Sequence, residues 1–320
     1  MQHKAVLWER NPDNFVQCSL CAHKCVIADR KFGACGMRQN VDGILYTFAY
    51  GSVIASHIDP VEKKPLYHFL PGTYTYSIAT IGCNFRCGFC QNWTISQLSL
   101  RNGDSEGYEL KPDEVIREAV RNKCSSISYT YTEPTVFFEY SLDIAAIAKK
   151  NGLRNIYVTN GYMTRQAIDM MAPYIDAANI DLKFFDESSY ASCGGSLQPV
   201  LDSIKHMKEQ GIWVEVTTLI IPGMNDSESE LRKIAEFIAG VGSDIPWHIS
   251  RFHPDYKMTG RSATPVETML AANNIAHEEG LVFVYLGNMP SSRGEETFCH
   301  GCGESLILRA GFSILRSENF

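Results

Sequence analysis

The stretch IATIGCNFRCGFCQNW, residues 78–93, places three cysteines within eight residues, directly after an apolar run. They are Cys83, Cys87 and Cys90, the central triplet, with the spacing Cys-x3-Cys-x2-Cys. Three thiolates on one short loop can ligate three irons of a cubane cluster and leave the fourth iron without a protein ligand. Zinc sites instead use four protein ligands, or three and a water, and favour paired Cys-x2-Cys knuckles. The spacing therefore favours a 4Fe–4S cluster with one open iron.

The run before this loop is the first of several short strand patterns, which alternate with helix patterns. The strand patterns are β-branched or aromatic, and most are apolar on both faces, which is typical of a parallel sheet. They cover residues 76–81, 126–131, 154–159, 177–184, 213–221, 247–252 and 281–286. Amphipathic patterns with start signals predict helices over residues 111–122, 227–240 and 264–276, the last of which begins with Thr264 and Glu267 at capping-box spacing. This alternation implies right-handed βαβ units, and we expect an α/β fold with a partial (β/α)6-type barrel.

The predicted barrel covers residues 77–286, between two cysteine-bearing extensions, 1–76 and 287–320, the second of which we expect to pack on the barrel. Nine of the 11 cysteines fall in three groups. The N-terminal set is Cys18, Cys21, Cys25 and Cys35; the central triplet follows; the C-terminal pair is Cys299 and Cys302. Clustering of this kind in a cytosolic chain favours metal or cluster ligation over disulfides. Cys124 and Cys193 stand alone in the sequence.

Composition narrows the classes of partner. The chain has 320 residues and a net charge of −7, which argues against non-specific nucleic-acid binding. No apolar run reaches the roughly 18 residues of a membrane span, and the first residues lack the apolar segment of a signal peptide. We therefore expect a cytoplasmic protein without nucleic-acid or membrane partners.

The central triplet, with Phe89 directly before its last cysteine, resembles the signature of the radical S-adenosylmethionine (radical SAM) superfamily. The resemblance implies that the open iron chelates the amino and carboxylate groups of S-adenosylmethionine. It further implies that an external one-electron reductant reduces the cluster, which cleaves a carbon–sulfur bond and yields a 5′-deoxyadenosyl radical. That radical would abstract hydrogen from a small-molecule or protein substrate.

Polar residues after the later strands extend this resemblance. TYTEPT, residues 130–135, resembles the family's Gly-Gly-Glu-Pro-like segment, in which Glu133 is the carboxylate near the cofactor's amino group, although Tyr131 and Thr132 replace the glycines. His253 resembles a ribose-contacting histidine of the family. The carboxyl ends of barrel strands share one rim, where reactive groups of such barrels lie. The predicted cofactor-binding residues are Phe89, Glu133, Asn160, Asp181, Lys183 and His253.

Each of these predictions has an ordinary alternative, such as core packing for Phe89 or a solvated strand-end side chain for His253 and Asn160, and the catalytic residue is unknown. Asp181 and Lys183 share a strand face and suit an amino-acid head group, yet an Asp-x-Lys pair is often only a local ion pair. The substrate is expected near Tyr131, Asn160 and Arg251.

Longer stretches resemble two groups within the superfamily. DPVEKKPLYHFLPGT (59–73), NIDLKFF and RFHP resemble pyruvate formate-lyase activating enzymes. Residues 18–40 and 287–303 extend a closer resemblance to the radical-SAM component of the AmmeMemoRadiSam system. The first comparison implies formation of a glycyl radical on a partner protein. The small activating enzymes lack the N-terminal set and the C-terminal pair, so an activator and a small-molecule enzyme both stay open.

The outer cysteines allow two metal sites. Cys18-x2-Cys21 and Cys299-x2-Cys302 could form one four-thiolate zinc site that joins the chain ends. Alternatively, Cys25 and Cys35 complete a local site with the first pair, which could hold zinc or an auxiliary iron–sulfur cluster. Unligated thiols are the third possibility. A zinc-stabilised binding protein without catalysis is the competing class, but it would need a fourth ligand for the central triplet.

Overall fold

The N-terminal part of the chain forms two small antiparallel sheets. The computed structural model describes residues 2–104, 107–289 and 294–317. One sheet has the order β1-β6-β5 and the other the order β2-β3-β4. The strands are β1 (His3–Lys4), β2 (Trp8–Arg10), β3 (Val16–Cys18), β4 (Val26–Ile27), β5 (Arg38–Val41) and β6 (Ile44–Thr47). The loop between β4 and β5 carries the last cysteine of the N-terminal set, so this set lies where the two small sheets meet the rest of the fold.

A nine-stranded sheet forms the centre of the described part of the chain. Its strands are β7 (Ser52–Pro60), β8 (Tyr74–Thr80), β9 (Tyr108–Glu109), β10 (Ser126–Tyr129), β11 (Arg154–Thr159), β12 (Ala177–Asp181), β13 (Trp213–Ile220), β14 (Trp247–Arg251) and β15 (Val284–Gly287). Their order is β15-β14-β13-β12-β11-β10-β8-β7-β9. Strand β8 and strands β10 to β15 are parallel, whereas β7 runs antiparallel to both β8 and β9. Because β15 and β9 are edges, the barrel is open.

The seven parallel strands coincide with the seven predicted strand patterns, and the predicted α/β fold with a partial barrel is confirmed. Their apolar residues pack on both faces of the sheet, as the sequence pattern requires. The antiparallel strand β7 has no counterpart among the predicted strands. It lies within residues 1–76 but pairs along β8, so this part of the first extension continues the barrel sheet.

Eight helices of the described residues follow the strands. They are α1 (Trp93–Ser96), α2 (Pro112–Arg121), α3 (Phe138–Lys150), α4 (Arg165–Met171), α5 (Glu187–Ser192), α6 (Gln198–Glu209), α7 (Glu228–Val241) and α8 (Val266–Glu278). Helix α2 begins at Pro112, and its Glu114 accepts a hydrogen bond from the Lys111 N–H at 2.9 Å. The apolar faces of these helices cover the sheet and form the main core. None of the described helices combines the length and hydropathy needed to cross a bilayer.

The start of α8 differs from the predicted capping pattern. Thr264 does not cap this helix, whose N-cap is Pro265. Its hydroxyl instead donates to the Ile220 carbonyl at 2.6 Å and accepts from the Phe252 N–H at 3.0 Å. Thr264 therefore links the ends of β13 and β14 by hydrogen bonds. Its hydroxyl makes tertiary contacts instead of the helix cap that the local sequence predicts.

The segment between β7 and β8 fills one end of the barrel. Buried Glu215 on β13 accepts hydrogen bonds from the Tyr67 and His68 N–H groups at 3.0 and 2.9 Å. The C-terminal strands β16 (Thr297–Phe298), β17 (Ser305–Ala310) and β18 (Ser313–Ser317) cover this end. Buried Arg309 donates to the Tyr67 carbonyl at 2.8 Å, which holds the C-terminal strands against the barrel. Glu215 lies near the start of its strand, so the opposite end, where the parallel strands finish, is left for the cysteine loop.

Candidate active site

The central triplet lies on the loop that follows β8. Gly82 begins this loop with a φ of +98°, and a Cβ there would come within 2.8 Å of a Met37 side-chain carbon. A residue with a side chain would strain this turn. The Phe85 N–H donates to Cys83 Sγ at 3.3 Å, and Cys90 Sγ lies 3.1 Å from the Ser96 hydroxyl. The loop therefore holds its thiols with short local hydrogen bonds at the carboxyl end of the first parallel strand.

Burial raises the pKa values of two thiols of the cysteine loop. Burial, and next to it the charge of Glu133, raises the pKa of the Cys83 thiol to about 12. A hydrogen bond with Cys193, together with burial, raises the pKa of Cys87 well above its usual value. Ligation by iron requires thiolates and would release these protons. The cysteine loop therefore suits a positively charged metal centre, whose binding would favour the thiolate form of these side chains.

Lys183 supplies positive charge beside the triplet. Burial opposes its charge, but Asp181 and then Cys87 outweigh burial and raise the pKa of Lys183 well above its usual value. The ammonium lies 2.7 Å from Asp181 and 6.0 Å from the ring centre of Phe89. Phe89 is buried and packs edge to face on Phe184. The structure thus brings Asp181, Lys183 and Phe89 to the cysteine loop, with the first two joined as an ion pair.

Glu133 is buried next to this loop and accepts four hydrogen bonds. Its Oε1 accepts from the Thr135 N–H, the Thr135 hydroxyl and the Thr159 hydroxyl at 3.0, 2.6 and 2.7 Å. Its Oε2 accepts from the Asn160 N–H at 2.8 Å. Burial raises the pKa of Glu133 although these bonds lower it. A carboxylate offers about four acceptor positions, two on each oxygen, so Oε2 keeps room for one further donor.

Asn160 connects the end of β11 to the cysteine loop. Its amide donates to Asn84 Oδ1 at 2.7 Å and approaches Cys83 Sγ at 3.8 Å, while its own oxygen accepts from the Tyr162 N–H at 2.9 Å. The side chain is buried. Asn160 therefore contacts the cysteine loop directly.

His253 and Arg251 lie at the end of β14, on the other side of the loop. His253 is exposed, and its Nδ1 lies 3.4 Å from the Gln91 amide. The Lys257 N–H donates to the Gly88 carbonyl at 3.2 Å, which packs the segment after His253 over the triplet. The Arg251 guanidinium is committed to the Thr264 carbonyl at 2.7 Å. His253 is thus brought to the cysteine loop, whereas Arg251 is hydrogen-bonded to the segment just before α8.

Tyr131 has an unexpected set of partners. Its φ is +64°, a strained value for an aromatic residue, and its hydroxyl donates to Asp59. Asp59 also binds Lys64 at 2.6 Å, and the Lys64 ammonium lies 4.4 Å above the Tyr131 ring. Burial lowers the pKa of Lys64 to about 8, although Asp59 raises it. The sequence offered no signal for this group, because Tyr131 lies 72 residues from Asp59 in the chain.

Cys193 is a second residue that sequence reasoning missed. It stands alone in the sequence, yet it is buried and its thiol hydrogen-bonds with Cys87. The residues after α5 bring it there, and the Arg86 N–H donates to the Cys193 carbonyl at 2.8 Å. More than 100 residues separate the two thiols, so spacing could not have indicated the contact.

The outer cysteines are divided between two places. All four thiols of the N-terminal set line one cavity, and burial, then the charges of Cys18 and Cys35, raises the pKa of Cys21. Cys299 interacts with Cys302 at the turn between β16 and β17. Among the described residues, no three Cys, His, Asp or Glu side chains converge closely enough to hold a single metal ion. The N-terminal cysteines are therefore grouped with one another, and the C-terminal cysteines with each other.

The fold and the cysteine loop together define an α/β partial barrel with a three-thiol loop at a strand end. The family model of the Radical SAM superfamily matches residues 77–238, and the chain belongs to this superfamily. The family implies S-adenosylmethionine and a 4Fe–4S cluster as cofactors. The residues present fit such a cluster, because three soft thiol donors share one loop and the buried Asn84 amide beside Cys83 has an unpartnered N–H in the described part of the chain.

Known proteins similar to this chain agree with that assignment. An uncharacterized protein of Methanocaldococcus jannaschii is 46% identical over 97% of this chain and 92% of its own length. The pyruvate formate-lyase-activating enzyme of Clostridium pasteurianum is 23% identical over 55% of this chain and 79% of its own. A radical SAM methyltransferase from Sphaerobacter thermophilus shares the fold, with a TM-score of 0.54 and 17% identity over 74% of this chain and 71% of that one. The predicted similarity to activating enzymes is confirmed, while the AmmeMemoRadiSam resemblance stays a prediction.

Proposed function

We propose that this protein is an enzyme that reductively cleaves S-adenosylmethionine at a 4Fe–4S cluster held by Cys83, Cys87 and Cys90. The 5′-deoxyadenosyl radical formed in that cleavage would abstract a hydrogen atom from the substrate. The observation that carries the proposal is the three-thiol loop at the carboxyl end of β8, with polar groups of β11 and β12 in contact with it. An external one-electron donor would supply the electron.

The surrounding residues would then position S-adenosylmethionine. Glu133 keeps one acceptor position on Oε2, which suits the cofactor's ammonium. Asp181 and Lys183 offer the opposite charges that an amino-acid head group requires, once the cofactor replaces their mutual ion pair. Phe89 and His253 would contact the adenosyl part, and Asn160 would hold Cys83 in place.

The substrate would lie over the same rim, between Tyr131 and the end of β14. Tyr131 closes the barrel side of this space with a strained backbone, which is the kind of conformation that folds retain at functional sites. Buried Lys64 and Asp59 fix its ring and hydroxyl.

Anaerobic turnover tests the proposal. The reconstituted protein, a one-electron reductant and S-adenosylmethionine should give 5′-deoxyadenosine and methionine, and the variant Cys83→Ala/Cys87→Ala/Cys90→Ala should give neither. Cys124→Ala is the matched control, because this buried cysteine lies outside the site. A colourless protein that takes up only zinc after reconstitution would support the non-catalytic binding class instead.

A second candidate is an activating enzyme that forms a glycyl radical on a partner protein. The similarity to a pyruvate formate-lyase-activating enzyme over 55% of the chain favours it. Incubation with candidate partner proteins should then produce an organic radical signal in electron paramagnetic resonance (EPR), together with one 5′-deoxyadenosine per radical. Turnover on a small molecule without any such protein would exclude this candidate.

A further inference from the structure

The N-terminal set surrounds a cavity next to the cysteine loop. Its thiols line this cavity together with Arg38, Asn84 and Thr135, and the cavity measures about 20 Å³. That is enough room for a water-sized particle. Thiolate sulfur is the ligand that both zinc and iron–sulfur clusters use, so the other groups that line the cavity have to distinguish them.

Two buried donors that line this cavity lack partners. Arg38 Nε and Asn84 Nδ2 have no hydrogen-bond partner in the described part of the chain, although both side chains are over nine-tenths buried. Such donors need an explanation, because an unpaired buried N–H costs about 1–3 kcal/mol. Asn84 lies between the two cysteine sets and can serve the central triplet, but Arg38 lies beside the N-terminal thiol of Cys18, and a sulfur-rich anionic group in the cavity would give its Nε an acceptor.

Arginine side chains contact the N-terminal set and the loop that carries Cys35. The Arg38 guanidinium approaches Cys18 Sγ at 3.7 Å, and Arg86 donates to the Ala34 carbonyl at 3.2 Å. Arg101 donates to the Gly33 carbonyl. Arg86 and Arg101, from separate parts of the chain, thus hold the loop that carries Cys35. Arg38, whose charge is paired with Glu139, is the arginine that contacts a thiol of the set.

We propose that Cys18, Cys21, Cys25 and Cys35 bind an auxiliary 4Fe–4S cluster. Four thiolates are the complete ligand set of such a cluster, and their four protons leave as the iron–sulfur bonds form. The inorganic sulfides and thiolates accept the unpaired N–H groups of Arg38 and Asn84. Among the described residues, neither the N-terminal set nor the central triplet brings three ligands together closely enough for a single metal ion.

The auxiliary site lies directly against the cysteine loop. His23, within the N-terminal set, has its Nε2 2.8 Å from the Asn84 carbonyl oxygen, and a Cβ on Gly82 would lie 3.6 Å from the Cys35 carbonyl oxygen. The two proposed clusters are thus separated by a single layer of residues. This inference does not depend on cleavage of S-adenosylmethionine at the triplet.

Iron and sulfide counts in the full chain test the proposal. After anaerobic reconstitution, Cys83→Ala/Cys87→Ala/Cys90→Ala should retain about four irons and four sulfides, and the unchanged chain should hold about eight irons. Adding Cys25→Ser to the triple variant should abolish or strongly reduce the remaining cluster absorption and its EPR signal. Cys25 is half-buried, so this change leaves the buried Cys18 in place. Circular dichroism of each variant checks that the fold persists.

Two other results would overturn the proposal. If the triple variant holds one zinc and no iron, the N-terminal set is a zinc site. If Cys299→Ser/Cys302→Ser removes the metal that Cys25→Ser leaves in place, the cross-terminal site is correct. A failure of the proposed enzyme function is distinguishable, because it would remove cleavage of S-adenosylmethionine in the unchanged chain while the triple variant still carried four irons.

Discussion

The buried group formed by Asp59, Lys64 and Tyr131 gives the sharpest stability prediction. Asp59→Asn keeps the shape of the side chain but removes the counter-charge of Lys64, whose side chain is 1% exposed. Removing one partner of a buried ion pair costs about 3–5 kcal/mol, because the other charge is left uncompensated. We expect a loss of this size in the free energy of unfolding, measured by urea denaturation at pH 7.

The pH dependence of this variant follows from Lys64. Burial already lowers its folded pKa from 10.5 to about 8, and loss of Asp59 lowers it further. The unfolded chain then binds more protons than the folded one up to the ordinary lysine value, so stability rises with pH across this interval. In the unchanged chain the same rise begins only near pH 8, so the destabilisation of Asp59→Asn should shrink as the pH rises from 7 to about 8 and change little above it.

The double variant Asp59→Asn/Lys64→Met separates charge from shape. It removes both charges and should recover most of the stability that Asp59→Asn loses. Asp244→Asn is the matched control, because Asp244 pairs with Lys208 at 2.7 Å, close to the 2.6 Å of the Asp59–Lys64 pair, but on the surface, and it should cost under about 1 kcal/mol. An Asp59→Asn variant within 1 kcal/mol of the unchanged chain, or a double variant no more stable than Asp59→Asn, would refute the reasoning.

Three further predictions concern the site and the C-terminal strands. Lys183→Ala should weaken S-adenosylmethionine binding by about 10- to 100-fold, because a charge-assisted contact is worth about 1.5–3 kcal/mol. Anaerobic equilibrium dialysis measures this affinity. If the affinity does not change, Lys183 is only the local ion-pair partner of Asp181. Cys193→Ala should leave the iron at the central triplet but make the reduction potential of the cluster more negative, because a hydrogen bond to Cys87 is lost. An EPR-monitored redox titration measures this potential. Loss of iron would instead identify Cys193 as a ligand. Arg309→Ala should reduce the free energy of unfolding by about 3–5 kcal/mol in urea, because it removes two buried hydrogen bonds of a charged group, to the Tyr67 carbonyl and the Thr297 hydroxyl, each worth about 1.5–3 kcal/mol. A change below about 1 kcal/mol would contradict this.

Much of the fold was predictable, since the seven parallel strands carry their pattern locally. Each strand is buried on both faces, so a continuous apolar run identifies it without knowledge of its neighbours. The antiparallel strand β7 was missed because only its pairing along β8 marks it as part of the barrel. Thr264 shows the same limit, because a tertiary contact with β13 overrides its capping signal.

The kind of centre that the central loop can hold follows from the amino-acid sequence, because Cys83, Cys87 and Cys90 lie on one short segment and their spacing limits it. Which distant groups surround that loop follows instead from how the chain folds. The tertiary structure grouped Cys25 with the N-terminal thiols around one cavity, separated them from the C-terminal pair, and placed Cys193 against Cys87. The physical reason is that ligand spacing within a loop is fixed by covalent geometry, whereas contacts between remote segments depend on how strands and helices pack.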